Sequence, residues 1–360
     1  MLTPNPGTTL LPIIDEDLNM IGSCSCRYLI ASPFTHHNNT PTSFEGWRPH
    51  TDFIGHRGFG TSRTTFVREN TLLSFNTAHL YGVRYVEFDV QLSHDKVPII
   101  YHDFFIPIDG KLTSLTSLSL EQFKPIVKNY HQQILHDSPA TRLRRTKSFS
   151  DLKQHKQEAK WLLTDLSFPS FEDLFRNVPT EVGFNIEIKY PDFTAKYLAN
   201  AIERNEYLDI ILKVVFDHAQ ERSCYFSTFD PELCILLRQK QKRYPVFFLS
   251  VGRVALKERG DDPRCNSILG AASFAASIGC HGIVVDCVPL MSELDSIQKV
   301  KEKGLLLFTY GRFNNDPDYV HMQRKMGVDA IISDQIPKVS EPTLNFEELE
   351  KQLLIANAIN

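Results

Sequence analysis

The strongest constraint on the fold is a set of short apolar segments that recurs from residue 53 onward. Stretches long enough to form helices separate them. The segments span residues 53–55, 85–90, 97–101, 183–188, 224–227, 246–250, 282–286, 305–309 and 329–333. Most are almost entirely apolar, as is typical of strands buried on both faces of a parallel sheet. The chain is therefore predicted to be an α/β protein built around such a sheet.

The third segment breaks the pattern. Only residues 91–96 join it to the segment before it, whereas a crossover between parallel strands needs about a dozen residues or more. It is therefore predicted to be the return arm of a hairpin, which leaves eight parallel strands. Eight strands alternating with helices, such as those predicted over 71–81 and 231–239, indicate a TIM (β/α)₈ barrel. A doubly wound open sheet is the alternative.

The same pattern divides the chain into three regions. Residues 1–50 contain six prolines and are interpreted as an N-terminal arm, or the remnant of a preceding domain, with a strand predicted near 28–31. Residues 51–340 form the predicted barrel domain, with an insertion at 103–182 over the barrel mouth. Residues 341–360 are predicted to be a C-terminal helical tail.

The insertion follows the hairpin of the second strand and carries its own local signals. Ser119 is predicted to cap a short helix whose length Pro125 limits, and Ser170 is predicted to cap another. A basic stretch around 142–147 lies between them. Ser148, in the context RRTKS, is either a phosphorylation site or part of an unmodified solvated loop.

Composition disfavours several function classes. The 360 residues carry 39 Lys and Arg against 43 Asp and Glu, a net charge of −4, so nucleic acid is not an expected partner. No apolar run approaches the ~20 residues of a membrane-spanning helix, so no stable membrane insertion is expected. Among the seven cysteines, Cys24 and Cys26 make at most a weak metal site. The cysteines are interpreted as reduced thiols of a cytoplasmic protein.

Carboxylates collect at the carboxyl ends of the predicted strands, where α/β barrels place their working residues. Glu87 and Asp89 are two residues apart on one strand, so their side chains point to the same face, and Glu187 lies at the end of the next parallel strand. Three neighbouring carboxylates need a positive partner, and an all-oxygen set selects a hard cation, Mg²⁺ or Ca²⁺. The alternative is exposure to solvent, or pairing with Arg84 and Lys189.

Two histidines and two basic side chains follow the same strands. His56 and His102 predict a proton-transfer pair, because imidazole accepts and imidazolium donates a proton near neutral pH. Arg57 and Lys189 offer positive charge to a phosphate, unless they only pair with the carboxylates. A hard cation, two histidines and two basic groups together favour cleavage of a phosphate ester.

Five strings carry a resemblance to a known family: IGHRGFG (54–60), ENTLLSF (69–75), YVEFDVQLSHDKVPIIYHD (85–103), GFNIEIKYP (183–191) and FSTFDPELCILLR (226–238). In this order they closely resemble the motifs of the glycerophosphodiester phosphodiesterases, a TIM-barrel family. By this resemblance the barrel is a catalytic domain. The resemblance implies that Glu87, Asp89 and Glu187 bind the metal, that His56 and His102 are the acid–base pair, that Arg57 and Lys189 contact phosphate, and that Glu69 lies in the substrate pocket.

Finer matches, LKVVFD (212–217) and TYGRFNNDP (309–317), resemble the eukaryotic cytosolic glycerophosphocholine phosphodiesterases. That branch implies cleavage of glycerophosphocholine to sn-glycerol 3-phosphate and choline. In the mechanism that the family implies, the glycerol 2-hydroxyl attacks phosphorus and water then opens a cyclic phosphate. Many relatives have Trp where this chain has Tyr310, and the retained aromatic ring still suits a cation–π contact to a choline head group.

The sequence thus predicts a metal-dependent phosphodiesterase that acts on small glycerophosphodiesters in glycerophospholipid degradation. One alternative is a lysophospholipase D or a phosphatidylglycerol phospholipase C that works at a membrane surface, for which the basic stretch at 142–147 is a supporting feature. Another is a catalytically silent barrel that binds a metabolite, which is disfavoured because no expected catalytic position is missing. The oligomeric state, the choice between Mg²⁺ and Ca²⁺, and the assignment of base and acid to the histidines stay open.

Overall fold

The computed structural model describes residues 7–49, 53–62, 64–65, 67–127, 169–191, 202–252 and 262–339. Three sequence predictions lie outside these residues: the helical tail at 341–360, the basic stretch at 142–147 and the modification of Ser148. Within the described ranges, no helix has the length and apolar character needed to cross a bilayer.

The elements alternate along the chain as the sequence pattern predicts. In order, the strands are β1 (Gly7–Ile14), β2 (Met20–Tyr28), β3 (Phe53–Gly55), β4 (Tyr85–Leu92), β5 (Pro98–Ile100), β6 (Phe105–Ile108), β7 (Lys111–Ser114), β8 (Gly183–Ile188), β9 (Cys224–Thr228), β10 (Val246–Ser250), β11 (Gly282–Asp286), β12 (Leu306–Tyr310) and β13 (Ala330–Ser333). The α-helices are α1 (Leu72–Leu80), α2 (Phe171–Asn177), α3 (Arg204–His218), α4 (Pro231–Lys240), α5 (Ile268–Ser277), α6 (Cys287–Ser292), α7 (Asp295–Glu302), α8 (Pro317–Lys325) and α9 (Ile336–Val339). Residues 120–127 are also helical.

Eight of the strands, β3, β4 and β8 to β13, run parallel and close into a barrel, because β3 pairs with β13 on one side and with β4 on the other. The predicted TIM barrel is confirmed, and its closure excludes the open doubly wound sheet. β5 pairs antiparallel with β4, with Val90 opposite Ile100. The third apolar segment is therefore a hairpin return, as predicted.

The alternation of side chains along the barrel strands separates two apolar cores. One core lies between the strands and the surrounding helices, and the other, which includes Tyr85, Tyr225 and Phe247, fills the barrel. Since Tyr85 on β4 belongs to the inner core, the residues two and four positions later face inward as well. This register places Glu87 and Asp89 inside the barrel.

Local sequence signals set the start of the helices. The Thr71 side chain accepts a hydrogen bond from the Ser74 amide at the start of α1. Asp230 caps α4, whose first residue is Pro231, in agreement with the preferences of these positions. The predicted helices at 71–81 and 231–239 agree with α1 and α4 to within one residue at each end.

The described part of the insertion adds a hairpin, β6–β7, and a small apolar cluster of its own. Ser119 Oγ accepts the Gln122 amide at 3.3 Å, and Ser170 caps α2 in a reciprocal pair with Asp173. Both predicted caps are present.

The prediction that Pro125 limits the first of these helices is wrong. The helical residues continue through Pro125 to residue 127. A proline removes one intrahelical hydrogen bond, the one to the residue four positions earlier. That residue, Glu121, is exposed, so water can replace the missing donor.

The N-terminal arm is more ordered than its sequence suggests. β1 and β2 form an antiparallel hairpin that the prolines concealed, and β2 ends at Tyr28, so the strand predicted near 28–31 is wrong. Pro12 is compatible with β1 because both strands of a two-stranded sheet are edges. After the hairpin, Leu29 and Phe34 pack against the core between strands and helices.

Candidate active site

The inward-facing carboxylates of β4 meet a third one from the neighbouring strand β8. One oxygen each from Glu87, Asp89 and Glu187 lies within 4.8 Å of the other two. Only 3% of Glu87 and 1% of Asp89 is exposed. The structure therefore brings together the three carboxylates that the sequence singles out as metal ligands.

The pKa values of two members of this trio shift in opposite directions. Burial and the neighbouring charge of Asp89 raise the pKa of Glu87 to about 8. Burial also opposes ionisation of Asp89, but the charges of His102, Lys189 and Arg57 outweigh it and lower its pKa. Glu87 Oε1 is buried and has no hydrogen-bond partner among the described residues. A buried oxygen without a donor, within an all-oxygen set, fits a hard divalent cation.

His56 follows β3 and is held by the residue that follows β13. Its Nδ1 lies 2.6 Å from Asp334 Oδ1, and its Nε2 lies 3.8 Å from Glu87 Oε2. Burial and Arg57 disfavour the imidazolium, but the hydrogen bond to Asp334 and the charges of Asp334 and Glu87 outweigh them and raise the pKa of His56. Asp334 was not predicted, although it stands at a strand end and the strand-end argument applies to it.

His102 reaches the same mouth by way of the β4–β5 hairpin. The Tyr101 amide donates to the Asp89 carbonyl at 3.0 Å, which sets His102 beside the end of β4. His102 Nδ1 lies 2.7 Å from Asp103 Oδ1, and 36% of the His102 side chain is exposed. Since hydrogen bonds with the histidines lower the pKa values of Asp103 and Asp334, both carboxylates are acceptors. Each histidine therefore donates from Nδ1, which leaves Nε2 as the nitrogen without a proton when the ring is neutral.

Arg57 connects the loop after β3 to the carboxylates. Its amide donates to Glu87 Oε2 at 3.0 Å, and its Nη1 donates to Glu69 Oε1 at 2.7 Å. Burial opposes its charge, but Asp89, Glu69 and Glu87 raise the pKa of Arg57. Its φ of +50° is in the left-handed region, where its carbonyl accepts from the Asn70 amide at 3.0 Å.

Gly58 follows with a φ of +91°, and a Cβ at this position would lie 2.4 Å from Ser74 Oγ. The HRG string thus makes a tight turn against α1 that larger residues at position 58 do not fit.

Lys189 lies between two of the carboxylates. Its Nζ is 3.5 Å from Asp89 Oδ1 and 3.4 Å from Glu187 Oε1, and it stands 5.1 Å from the centre of the Phe104 ring. Asn70, a second residue outside the predicted set, donates from Nδ2 to Asp89 Oδ2 at 3.2 Å. It follows Glu69 in the ENTLLSF string.

A cavity of about 520 Å³ opens beside these groups at the carboxyl end of the barrel. His102, Phe104, Glu187, Lys189 and Phe229 are among its lining residues. Tyr310 is not one of them. Its hydroxyl donates to the Ser250 carbonyl at 3.4 Å, and its ring stands edge-on to Phe229 at 6.0 Å.

The sequence of this chain also matches known proteins. A family model described as "Glycerophosphoryl diester phosphodiesterase family" matches residues 56–338. The chain is 32% identical to a glycerophosphocholine phosphodiesterase of Eremothecium gossypii, over 91% of this chain and 28% of that protein. It is 33% identical to one of Homo sapiens, over 92% and 51%. It is also 33% identical to a glycerophosphodiester phosphodiesterase of Arabidopsis thaliana, over 82% and 78%. The chain thus spans about half or less of the first two relatives.

Solved structures share the fold. A phosphodiesterase of Oleispira antarctica, in complex with the product sn-glycerol-3-phosphate, superposes with a TM-score of 0.56 at 18% identity, over 80% of this chain and 95% of that one. A glycerophosphodiester phosphodiesterase of Parabacteroides distasonis superposes with a TM-score of 0.54 at 19% identity, over 86% and 99%. At these identities the likeness concerns the barrel architecture alone.

Proposed function

The chain belongs to the glycerophosphoryl diester phosphodiesterase family, and we propose that it hydrolyses glycerophosphodiesters, glycerophosphocholine above all, to sn-glycerol 3-phosphate and the free alcohol. We further propose that it does so in the cytoplasm and that it serves glycerophospholipid degradation. Relatives named glycerophosphocholine phosphodiesterases, which align over nine-tenths of this chain, support the choice of substrate.

The observation that carries the proposal is the convergence of three kinds of group at one barrel mouth. Three inward carboxylates lie within 4.8 Å of one another, Lys189 stands 3.4–3.5 Å from two of them, and His56 Nε2 faces a third at 3.8 Å. Phosphodiester hydrolysis needs charge neutralisation at phosphorus and two proton transfers. These groups supply both.

Glu87, Asp89 and Glu187 would hold one divalent cation, Mg²⁺ or Ca²⁺. A bound cation would neutralise charge on the phosphate oxygens and favour attack at phosphorus. Glu87 Oε1 is the oxygen best prepared to coordinate it, since it is buried and accepts no hydrogen bond within the described residues.

His56 and His102 would move the protons. One takes the proton of the glycerol 2-hydroxyl as that oxygen bonds to phosphorus, and the other protonates the alcohol oxygen as it leaves. The resulting cyclic phosphate is then opened by water, with the same groups in reversed roles. An internal nucleophile reduces the entropy lost on reaching the transition state. Asp334 and Asp103 would hold the two rings in the required tautomer.

Arg57 and Lys189 would bind the phosphate oxygens, and Glu69 would keep the Arg57 guanidinium in place through its hydrogen bond at 2.7 Å. Tyr310 would act on the head group through Phe229, since the two rings are in edge-on contact and Phe229 lines the cavity.

A second candidate function is cleavage of a lysophospholipid at a membrane surface. The β1–β2 hairpin supports it, because Leu10, Leu18, Met20 and Ile21 are each at least 66% exposed and could enter a bilayer interface. The acidic turn at 15–17 opposes binding to anionic lipid. Flotation with neutral and anionic vesicles tests this candidate: binding to neutral vesicles would favour it, and binding to neither kind would favour the small glycerophosphodiester as substrate.

Choline release tests the main proposal. Purified protein is stripped with EDTA, supplied with Mg²⁺ or Ca²⁺, and incubated with glycerophosphocholine while choline and sn-glycerol 3-phosphate are measured. We expect release only with a cation, and its loss in His56→Ala and His102→Ala variants that remain folded. If folded, metal-supplied protein cleaves no glycerophosphodiester, the proposal is wrong and a silent barrel is favoured.

A further inference from the structure

The cavity extends beyond the proposed catalytic groups to a cluster of charged side chains that the chemistry above does not use. Arg27 enters it from the end of β2, Glu232 from the first turn of α4, and Asp262 and Arg264 from the segment that precedes α5. Three separate parts of the chain therefore build this end of the cavity.

Arg264 holds the two acidic side chains of the cluster closely. Its Nη2 donates to Asp262 Oδ2 at 2.6 Å and to Glu232 Oε1 at 2.8 Å, and its Nε donates to Asp262 Oδ1 at 2.9 Å. Because two carboxylates share this one guanidinium, Arg264, Asp262 and Glu232 together carry a net charge of −1. Asp230, which also lines the cavity, is balanced by Arg204 at 2.8 Å and does not change this count.

Arg27 compensates the remaining charge only loosely. Its guanidinium lies 3.6 Å from Glu232 Oε1 and 3.8 Å from Asp262 Oδ2, and 66% of its side chain is exposed. Both distances exceed those of a hydrogen bond, and an exposed ion pair of this kind binds weakly. Arg27 also belongs to a hairpin in which most side chains are exposed, so it can move with little loss of packing.

We infer that Glu232 and Asp262 form a subsite for the single organic cation of the head group, and that Arg27 makes in the free protein the contacts that this cation takes over. The inference rests on the proposed function, and it extends that function to the class of alcohol: one that carries a quaternary or primary ammonium group. The ring of Phe229 lines the same cavity and suits a quaternary ammonium, which has no N–H to donate and favours aromatic and carboxylate surroundings.

Steady-state kinetics with two substrates test the subsite. Glycerophosphocholine carries a cationic head group and glycerophosphoglycerol a neutral one. For Glu232→Gln and Asp262→Asn we expect KM for glycerophosphocholine to rise about fivefold with kcat nearly unchanged, and KM for glycerophosphoglycerol to change less than about twofold. Tetramethylammonium should inhibit the wild type competitively and these variants more weakly.

Arg27→Ala should change KM for glycerophosphocholine in the opposite direction. Removal of the competing guanidinium should lower KM for glycerophosphocholine, and the inhibition constant of tetramethylammonium, by about two- to fivefold. Arg48→Ala is the matched control, because Arg48 is also 66% exposed and pairs with one carboxylate, Asp329, at 3.3 Å. Asp329 directly precedes β13, at the other end of the barrel, so neither constant should change.

Equal shifts for both substrates, or a higher KM for glycerophosphocholine in Arg27→Ala, would overturn the subsite while leaving the proposed function intact. If the wild type cleaves neither substrate, the proposed function fails. Calorimetric binding of tetramethylammonium to wild type and to Asp262→Asn then decides the subsite without reference to turnover. Because Arg27 is exposed, its variant stays informative even if a carboxylate variant fails to fold.

Discussion

His56 Nδ1 and Asp334 Oδ1 lie 2.6 Å apart although 277 residues separate them in the chain. Closure of the barrel creates the contact, because His56 follows β3, Asp334 follows β13, and these two strands are neighbours. Asp334 is itself fixed: its amide donates to Asn315 Oδ1 at 2.8 Å, and the Thr61 amide donates to its Oδ1 at 3.2 Å. One proposed catalytic ring is thus oriented by the last strand of the barrel.

Replacement of this carboxylate should therefore impair turnover more than substrate binding. We expect Asp334→Asn to lower kcat about 100-fold with a small change in KM, because the amide no longer enforces the Nδ1–H tautomer. The variant should also lower the pKa of His56, since the hydrogen bond and charge of Asp334 raise it. A pH–rate profile checks this shift.

Asp103→Asn is the matched comparison, because Asp103 bonds to His102 at 2.7 Å but is 61% exposed. Solvent can replace its hydrogen bond, so we expect a loss in kcat below about tenfold. Equal losses in the two variants would contradict the positioning role assigned to Asp334.

Cation binding should depend on pH through Glu87. Burial and Asp89 raise its pKa to about 8, so below that pH the carboxyl is protonated and a cation must displace the proton. Affinity for Mg²⁺ or Ca²⁺ should accordingly increase as the pH rises from about 6 to about 8, by up to about tenfold per unit. Isothermal titration in buffers of different ionisation enthalpy measures both the affinity and the released proton.

Glu87→Gln distinguishes the effect of cation binding on stability from the effect of the buried Glu87 carboxyl itself. Without metal, the variant should be more stable than the wild type, because the Glu87 carboxyl must take up a proton when folding buries it at neutral pH and glutamine needs none. In the wild type, Mg²⁺ or Ca²⁺ at a concentration 100-fold above Kd should stabilise the fold by about 2.7 kcal/mol and raise the melting temperature accordingly. This shift should disappear in the variant. Glu206→Gln, which changes a carboxylate that is 49% exposed, should keep the shift.

The sequence was sufficient for the barrel and for much of its mouth, because both depend on local patterns. Apolar runs marked the strands, the two-residue spacing of Glu87 and Asp89 fixed their common face, and the short link after β4 identified the hairpin that carries His102. Contacts that depend on closure were harder to foresee. Asp334 stands at a strand end, which is a local signal, but its contact with His56 depends on the pairing of β3 with β13.

The N-terminal arm shows a different limit. Its prolines suggested little regular structure, yet the chain after the β1–β2 hairpin is tied to α3 and α4 by side chains that no local pattern reveals. Asn205 Oδ1 accepts the Ser32 amide at 2.8 Å, and Lys240 Nζ donates to the Ser32 carbonyl at 2.8 Å. Such contacts across some 200 residues appear only in the fold.

Two truncations test how the arm contributes. Removal of residues 1–28 takes away an exposed hairpin and should change the free energy of unfolding by less than about 1 kcal/mol. Removal of residues 1–44 should lower it by more than about 3 kcal/mol, because the buried Lys240 ammonium loses Ser32 and the core loses Phe34. Urea denaturation followed by circular dichroism measures both, and equal effects would contradict this division of the arm.

Acid stability should depend on one histidine outside the mouth. His281 Nδ1 accepts the Val246 amide at 3.0 Å, which requires a neutral ring, and burial together with the charge of Arg238 lowers its pKa to about 4. An unfolded histidine titrates near about 6.5, so between these two values the unfolded chain binds more protons than the fold. The contribution of His281 is therefore complete above about pH 6.5 and is lost as the pH falls toward 4, by up to about 3 kcal/mol in total.

His281→Asn keeps an acceptor for the Val246 amide but cannot titrate. Its free energy of unfolding should therefore fall less steeply than that of the wild type between pH 6.5 and 4.5, with the two curves differing by at most about 1.4 kcal/mol per pH unit. Denaturant titrations at five pH values across this window give the slopes. Parallel curves for wild type and His281→Asn would show that the Val246 contact does not depend on the protonation of His281.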